Sequence, residues 1–306
     1  MNFCLVSQLN GTGKWTVPGN EIRAWAYAME GDVYCAWDIR DYTYFDRYDV
    51  VMCEMTPNIF HIIKEIKRQS RTYVIGLVEG SLISPWSYDV QVQWVDLIRT
   101  IDLVGVLNEK AISAISMFTD KPVRYLGVPF PVSWCKSNLR PKNDLIELGN
   151  IWIGAGGMWN IAAFKKIGKP SVCYPVNETD YNNLRQIVDS PKMIYGRVSG
   201  WNDYFIEHSA YRLMIHLDQR STWGRGSLDC AAANMPCIST PYSQTHQILY
   251  PSLCVDYWDV DRAVELYRKL DNDSAFYDSV VEYANVALGQ FDLQTSKTRL
   301  LKTVTL

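Results

Sequence analysis

The sequence predicts an α/β protein with two successive parallel-sheet domains. Short apolar runs alternate with amphipathic segments over nearly all of its 306 residues. Strands rich in valine and isoleucine that alternate with helices are typical of parallel sheets covered on both faces. A chain of this length is also too long for one ordinary domain and suits two.

The first domain is predicted over residues 1–135. Its strands are predicted from apolar runs at residues 3–7, 33–37, 49–55, 72–78, 103–107 and 123–127. Amphipathic segments between these runs predict helices over residues 21–29, 59–68 and 88–101. Pro129-Phe130-Pro131 then breaks the alternation, and the polar stretch that follows predicts a linker between the domains.

The alternation restarts and predicts a second domain over residues 146–288. Its strands are predicted at residues 150–154, 171–174, 192–195, 212–217, 237–239 and 253–256. Helices are then predicted over residues 260–270, 275–288 and 293–301. We expect the segment 289–306 to pack back on the first domain. Because parallel sheets bind ligands at the carboxyl ends of their strands, two such domains predict a cleft between them.

The composition disfavours several classes of protein. The net charge of -3 gives no global basic field for holding nucleic acid. No apolar run approaches the ~20 residues that a membrane span needs. The eight cysteines form no CxxC pair and the four histidines are scattered, which gives little support to a metal site. Met1 leads directly into a predicted strand, so we expect a cytoplasmic protein without a signal peptide.

The segment 192–240 contains the residues that indicate chemistry. A predicted strand ends in a loop that leads through Gly224 and Gly226 into a helix. Glycines let a ligand approach the backbone, and a helix N-terminus attracts a diphosphate, to which Arg225 would add a charge-assisted contact. Asp229 has two interpretations, a cap in the first turn of this helix or an acceptor of hydrogen bonds from ribose hydroxyls.

Residues 222–238, which read TWGRGSLDCAAANMPCI, resemble the signature of retaining GT-B glycosyltransferases of the "group 1" type. That signature reads roughly E-G-F-G-x-x-x-x-E-A-M-A-x-G-x-P-V-I. Trp223 falls on its Phe, Gly224 on its second Gly, Asp229 on its second Glu and Pro236 on its Pro. Residues 194–198 are similar to the F-x-G-x-V turn of the family, and residues 209–215 to its A-A-A-D-V-x-V strand.

The resemblance implies two Rossmann-like domains facing across a cleft, the GT-B fold. It also implies a hexosyltransferase that uses a UDP- or GDP-sugar as co-substrate, with retention and with no metal or other cofactor required. The residues implied for the diphosphate are Gly224, Arg225 and Gly226. The residues implied for the nucleoside are Gly196, Arg197, Val198 and Asp229. Trp223 is implied for the donor sugar together with Ser221, which replaces the first Glu of the family's motif.

Further candidates follow from position in the predicted fold. Gly11, Gly13 and Lys14 follow the first strand, where a glycine loop can face the donor diphosphate or serve only as a tight turn. Glu54 and Glu79 end strands, where a carboxylate can act as a base toward an acceptor hydroxyl. We take Glu79 as the catalytic candidate, with a cap of the next helix as the alternative.

The histidines of the second domain receive different interpretations. His246 follows the strand 237–239, near a Glu of the family that faces the donor sugar, and is the second catalytic candidate. His216 is interpreted as a core residue in the middle of a strand.

The acceptor and the chemistry are left open by the sequence. A glycan or lipid-linked sugar is the first acceptor class, and a hydroxymethylated base in DNA, as in bacteriophage glycosyltransferases, is the alternative. Ser221 in place of Glu also leaves open a module that binds a nucleotide-sugar without catalysis, and an epimerase is a further alternative. The sequence predicts no oligomeric state.

Overall fold

The computed structural model describes residues 1–19, 21–78, 87–149, 157–175, 177–220 and 222–304, and it divides into two compact units. Unit 1 comprises Met1–Pro131 and Phe291–Leu306, and unit 2 comprises Val132–Gln290. The C-terminal segment therefore returns to the first unit. The first boundary lies at Pro131 rather than at residue 135, because Trp134 packs in unit 2 with its ring centroid 5.1 Å from that of Trp201.

Unit 1 is built on a seven-stranded sheet in the order β2-β3-β1-β4-β5-β6-β7. Its strands are β1 Phe3–Ser7, β2 Gly13–Lys14, β3 Asp32–Cys35, β4 Val50–Glu54, β5 Tyr73–Val78, β6 Leu103–Val106 and β7 Val123–Tyr125. All neighbours are parallel except β2 and β3. Every residue of β1 and β4 is buried, as expected for central strands covered on both faces.

Each helix of unit 1 contributes at least one buried apolar side chain. They are α1 Ala24–Met29, α2 Phe60–Gln69, α3 Tyr88–Thr100, α4 Ala111–Ser116 and α13 Leu293–Val304. In α2, Ile63 and Ile66 are fully buried, and each such side chain contributes about 1.5–3 kcal/mol. Arg299 of α13 donates from Nη1 to the carbonyl of Leu126 at 2.9 Å, which fastens the C-terminal helix to this unit.

Unit 2 is built on a five-stranded parallel sheet in the order β10-β9-β8-β11-β12. Its strands are β8 Ile146–Leu148, β9 Ser171–Cys173, β10 Met193–Tyr195, β11 Leu213–His216 and β12 Cys237–Ser239. Its helices are α5 Val132–Lys136, α6 Gly157–Ile167, α7 Glu178–Ile187, α8 Trp201–His208, α9 Arg225–Ala232, α10 Gln244–Leu249, α11 Val260–Asn272 and α12 Ser274–Leu288.

One strand prediction for unit 2 is wrong, and another falls outside the described residues. The strand predicted at residues 253–256 is absent from this described stretch, because Pro251–Leu253 forms a 3-10 turn and Cys254 makes one isolated bridge with Ser239. The first strand of the sheet is β8, whereas the strand predicted at residues 150–154 lies outside the described residues. β8 was not predicted because it contains Glu147, which is buried in the structure, and a carboxylate is rarely buried unless it is paired.

All eight cysteines are free thiols, and seven of them are buried. Across the described ranges, no helix is both long enough and apolar enough to cross a membrane.

Candidate functional site

The sheet of unit 2 has a topological switch point between β8 and β11. The chain places β9 and β10 on one side of β8, then crosses back to place β11 and β12 on the other. Open parallel sheets bind ligands at the carboxyl ends of the two strands beside such a point. The buried side chain of Asn160 joins these ends, since Nδ2 donates to the carbonyl of Gly149 at 2.6 Å and Oδ1 accepts from the N–H of Leu217 at 2.7 Å. The candidate site therefore stands on a rigid edge.

His216 is the last residue of β11 and lies between two glycines at this edge. A Cβ on Gly149 would come within 2.9 Å of its Cγ, and one on Gly226 within 3.0 Å of its Nδ1. Both positions therefore leave room for the imidazole only because they lack a side chain. His216 is a strand-end residue of the site rather than the mid-strand core residue that the sequence suggested.

Asp218 follows β11 and fixes a guanidinium beside the switch point. Its carboxylate accepts hydrogen bonds from the backbone N–H, Nε and Nη2 of Arg220 at 2.8, 3.0 and 2.8 Å, and Oδ2 lies 3.5 Å from Nε2 of His216. Burial would raise the pKa of Asp218, but the His216 ring and the Arg220 guanidinium outweigh burial and hold it well below its usual range. The loop thus presents a fixed cation.

Gly224 starts α9 from a left-handed backbone conformation. Its φ is 72°, and a Cβ there would overlap Oγ1 of Thr245 and Oγ of Ser243. The helix begins at Arg225, so Gly226 belongs to its first turn rather than to the loop that precedes it. Helix geometry leaves the first N–H groups without intrahelical partners. Gly224, Arg225 and Gly226, all predicted for the diphosphate, therefore share one helix N-terminus beside His216.

Trp223 lies mostly inside unit 2, with 7% of its surface exposed. Its carbonyl accepts a hydrogen bond from Oγ1 of Thr245 at 2.5 Å, and the Arg225 guanidinium lies 5.9 Å from its ring centroid. The indole therefore supports the start of α9, and its burial argues against the predicted contact with a donor sugar. Ser221 and Glu79, the other predicted sugar-side and catalytic residues, lie outside the described residues.

Asp229 is the fifth residue of α9 and does not lie in the first turn, so it cannot cap the helix as one interpretation held. Its Oδ1 accepts a hydrogen bond from Nε1 of Trp201 at 2.9 Å, and 2% of its surface is exposed. In this structure the carboxylate positions the indole of Trp201, at the start of α8. Direct contact of Asp229 with a ribose remains a prediction.

The three other residues predicted for the nucleoside line one pocket. Gly196, Arg197 and Val198 follow β10 and border a cavity of about 470 Å³ in unit 2. The other lining residues are Tyr174, Pro175, Asn177, Glu178, Tyr181 and Tyr195. The pocket lies at the carboxyl ends of β9 and β10, and three tyrosines give it the aromatic surface that suits a planar ligand. The tyrosines were missed because their strand ends become neighbours only in the sheet.

The glycine loop of unit 1 divides into two parts. Gly11 lies in the loop after β1, whereas Gly13 and Lys14 form the edge strand β2. Lys14 stands opposite Asp32, the first residue of β3, because β2 runs antiparallel to it. This places Lys14 toward the amino end of β3, away from the edge where a parallel sheet binds ligands. The predicted contact of Lys14 with a diphosphate is therefore not supported by its position.

Glu54 ends β4, which lies beside β1 at the switch point of the unit 1 sheet. Its Oε2 accepts a hydrogen bond from the N–H of Gln8 at 3.1 Å. Burial raises the pKa of Glu54 and outweighs the hydrogen bonds from Gln8. The unit 1 edge therefore holds a carboxyl group that gains a proton more readily than an exposed one.

His246 is fully buried in α10, where its Nδ1 lies 2.9 Å from Oγ of Ser227. The hydrogen bond joins α10 to α9 behind the helix N-terminus. This position argues against the predicted contact with a donor sugar, because no part of the ring reaches solvent. Among the described residues, no group of three or more His, Cys, Asp or Glu side chains could hold a metal ion.

Comparison with known proteins identifies the architecture. No family model and no curated protein matches the sequence. The structure of HepE from Anabaena in complex with UDP matches with a TM-score of 0.75 and 11% sequence identity, covering 100% of both chains. The HepE complex with UDP and glucose matches with a TM-score of 0.76 and 12% identity, covering 100% of this chain and 99% of that one. The trehalose-phosphate synthase (UDP-forming) of Burkholderia vietnamiensis matches with 0.74 and 11% over 99% and 98%.

The chain has the GT-B fold. The match confirms the α/β class predicted from the alternating pattern and the fold implied by residues 222–238. In this GT-B chain Gly224, Arg225 and Gly226, predicted for the diphosphate, and Gly196, Arg197 and Val198, predicted for the nucleoside, all follow strands of the unit 2 sheet, whereas Gly11, Gly13 and Lys14 lie in unit 1.

Proposed function

We propose that the chain is a glycosyltransferase that takes a hexose from a nucleoside-diphosphate sugar and transfers it to a hydroxyl acceptor with retention. Unit 2 binds the donor in this proposal. The observation that carries it is the N-terminus of α9, which begins at Arg225 beside the switch point and to which Gly224 and Gly226 add no side chains of their own. A helix N-terminus in this position favours a diphosphate over a neutral ligand.

The charges around α9 suit the departure of a nucleoside diphosphate. Arg225 opens the helix, and Arg220 is held by Asp218 on the preceding loop. Negative charge develops on the diphosphate as the bond to the sugar breaks, and fixed donors that are already oriented stabilise it without reorganisation. The N–H groups of α9 and the two guanidinium groups would supply these donors.

The nucleoside of the donor would occupy the pocket beside Gly196, Arg197 and Val198. We propose UDP as its nucleotide, since the HepE complexes contain UDP and the trehalose-phosphate synthase is UDP-forming. The acceptor is proposed to be a hydroxyl of a glycan or lipid-linked sugar, with Glu54 of unit 1 as a candidate contact. Its raised pKa suits a carboxyl that exchanges a proton.

The proposal is tested with a panel of nucleotide-sugars by thermal shift, followed by an assay for released UDP. We expect UDP-hexoses to stabilise the chain by a free energy that grows with the logarithm of ligand concentration over Kd once the ligand is in excess. Arg225→Ala should lower UDP affinity about tenfold or more, because a charge-assisted contact to the diphosphate is lost. Arg262→Ala, which removes an exposed ion pair with Glu265 in α11, is the matched control and should leave affinity unchanged. If no nucleotide-sugar shifts the melting temperature of the unaltered chain, the proposal is wrong.

A further inference from the structure

Tyr174 lines the pocket of unit 2. It follows β9, and Gly196 follows β10, which pairs in parallel with β9 so that Tyr195 stands opposite Cys173. A Cβ on Gly196 would overlap the Tyr174 ring along one edge and come within 2.9 Å of its Cζ. The ring therefore lies directly against the backbone of the turn predicted to contact the nucleoside.

Two hydrogen bonds fix the tilt of this ring. The Tyr174 hydroxyl lies 2.5 Å from that of Tyr211 and donates to Oε2 of Glu207 at 3.1 Å. Burial raises the pKa of Tyr174, so the hydroxyl stays protonated and keeps these bonds. The ring also meets Tyr204 edge to face, with centroids 5.2 Å apart and planes at 83°.

The helix that supplies these contacts is itself anchored in the interior of unit 2. Tyr204 and Glu207 belong to α8, where the Tyr204 hydroxyl donates to Oε1 of buried Glu147 at 2.7 Å. His208 of the same helix lies 2.5 Å from Oε2 of Glu147 through Nδ1. Burial would lower the pKa of His208, but the Glu147 carboxylate outweighs it and raises that pKa. This buried network ties α8 to β8 through Glu147, while Nε2 of the His208 ring has no hydrogen-bond partner among the described residues.

The other two tyrosines of the pocket are engaged with each other. Tyr181 and Tyr195 meet edge to face at 5.0 Å, and the Arg197 guanidinium lies 6.0 Å from the Tyr181 ring. Tyr174 differs because its ring lies directly against the backbone of Gly196. Aromatic rings held in this way bind bases by stacking without selecting their edges.

We propose that Tyr174 is the platform on which the nucleobase of the donor lies, and that Glu207 and Tyr211 fix the tilt of that platform. This inference rests on the proposed function. It assigns nucleotide affinity to a residue that the motif of residues 194–198 does not include. Tyr174 acts on the base alone, whereas Arg225 acts on the diphosphate alone.

The test compares uridine with UDP, because uridine carries the base without the phosphates. Binding is measured by titration calorimetry on the full chain and on Tyr174→Leu, Tyr174→Phe and Arg225→Ala variants. We expect Tyr174→Leu to raise Kd for both ligands by the same factor, about tenfold or more. Tyr174→Phe keeps the ring and should raise both values about two- to fivefold. Arg225→Ala should raise Kd for UDP and leave that for uridine unchanged.

Tyr267→Phe is the matched control. Tyr267 also lies in unit 2 and donates its hydroxyl to Asp271 at 3.2 Å, but it borders the crevice at the amino ends of the strands. Its substitution should change neither affinity. Circular dichroism and thermal unfolding identify any variant that fails to fold, and Glu207→Gln then replaces Tyr174→Leu, with an expected two- to fivefold rise in both Kd values.

The outcomes separate the two proposals. If the unaltered chain binds neither UDP nor a UDP-sugar, the proposed function is wrong. If the unaltered chain binds UDP and a folded Tyr174→Leu variant binds both ligands equally well, the platform is wrong. A folded Tyr174→Leu variant that loses UDP affinity but keeps uridine affinity would also overturn it, because a change that acts on the diphosphate side near α9 gives that result.

Discussion

Glu54 in unit 1 and Asp218 in unit 2 occupy corresponding places in their sheets. Glu54 ends the strand beside β1, and Asp218 follows the strand beside β8, so each flanks a switch point. Both are buried, yet the pKa of Glu54 is raised and that of Asp218 is lowered. The partners decide the sign: the N–H of Gln8 hydrogen-bonds Glu54, whereas the cation of Arg220 and the ring of His216 face Asp218.

The difference teaches what each edge is suited to do. The unit 2 edge keeps its carboxylate ionised and uses it to hold a guanidinium, which suits an anionic ligand. The unit 1 edge raises the pKa of its carboxyl through burial, which favours exchange of a proton with a hydroxyl.

Substitution of the loop glycines should give the largest contrast between the two edges. Gly224 and Gly11 both have positive φ, at 72° and 117°, but only Gly224 is enclosed by neighbouring atoms. Gly224→Ala should lower the free energy of unfolding by about 3–5 kcal/mol, through backbone strain and overlap with Thr245. In Gly11→Ala the new Cβ would lie at an ordinary contact distance of 3.5 Å from Cζ3 of Trp15. Backbone strain alone should then lower the free energy of unfolding by about 1 kcal/mol.

Denaturant unfolding measures both glycine variants. Gly289→Ala is the control, since a Cβ there meets nothing within 4 Å and its φ is -57°. If Gly224→Ala and Gly11→Ala lower the free energy of unfolding equally, the closer packing around Gly224 is contradicted.

Asp218→Asn should have the next largest effect. The amide cannot pair with Arg220 as the carboxylate does, and the free energy of unfolding at pH 7 should fall by about 1–2 kcal/mol. Because the folded pKa is lowered, the contribution of Asp218 is present above its ordinary pKa near 3.8 and is lost as the pH falls below it. The difference between Asp218→Asn and the unaltered chain should therefore shrink from pH 7 to pH 3 in denaturant unfolding, and a constant difference would contradict the pairing.

Glu54→Gln should have the smallest effect and the opposite sign. A carboxyl with a raised pKa costs stability once it ionises, and the Gln oxygen can still accept from the N–H of Gln8. The free energy of unfolding should rise by less than about 1 kcal/mol at pH 7. This gain should vanish below the ordinary pKa near 4.5, where both side chains are neutral. A loss of stability at pH 7 would show that Glu54 has a cationic partner like that of Asp218.

The sequence predicted the elements whose signal is local. The amphipathic pattern placed α2 at residues 59–68, against Phe60–Gln69 in the structure, and the apolar run 3–7 is β1 without change. The sequence also predicted that the loop containing Gly224 and Gly226 leads into a helix, because a glycine-rich loop after a strand is a local pattern. In the structure, α9 begins at Arg225. The GT-B fold followed from these local signals and from the motif of residues 222–238.

Predictions from the sequence failed where the position of a residue depends on a partner that is distant in the chain. The strand β8 was missed because Glu147 within it is buried through hydrogen bonds with Tyr204 and His208, which lie about sixty positions away in the sequence. The motif of residues 222–238 could not show that Asp229 accepts a hydrogen bond from Trp201 or that the carbonyl of Trp223 accepts one from Thr245, and the contact of Asp229 with a ribose stays a prediction. His216 was interpreted as core because its position relative to Gly149 and Gly226 cannot be read from the chain.

The sequence by itself determined the alternation of strands and helices, the glycines that start α9 and the family resemblance, because each depends on residues close together in the chain. Only the tertiary structure decided that Tyr174 lies against Gly196, that His216 stands at the switch point and that Glu54 and Asp218 have opposite pKa shifts. The physical reason is that burial and charge pairing are properties of neighbours in space, and parallel sheets bring together residues that are far apart in sequence.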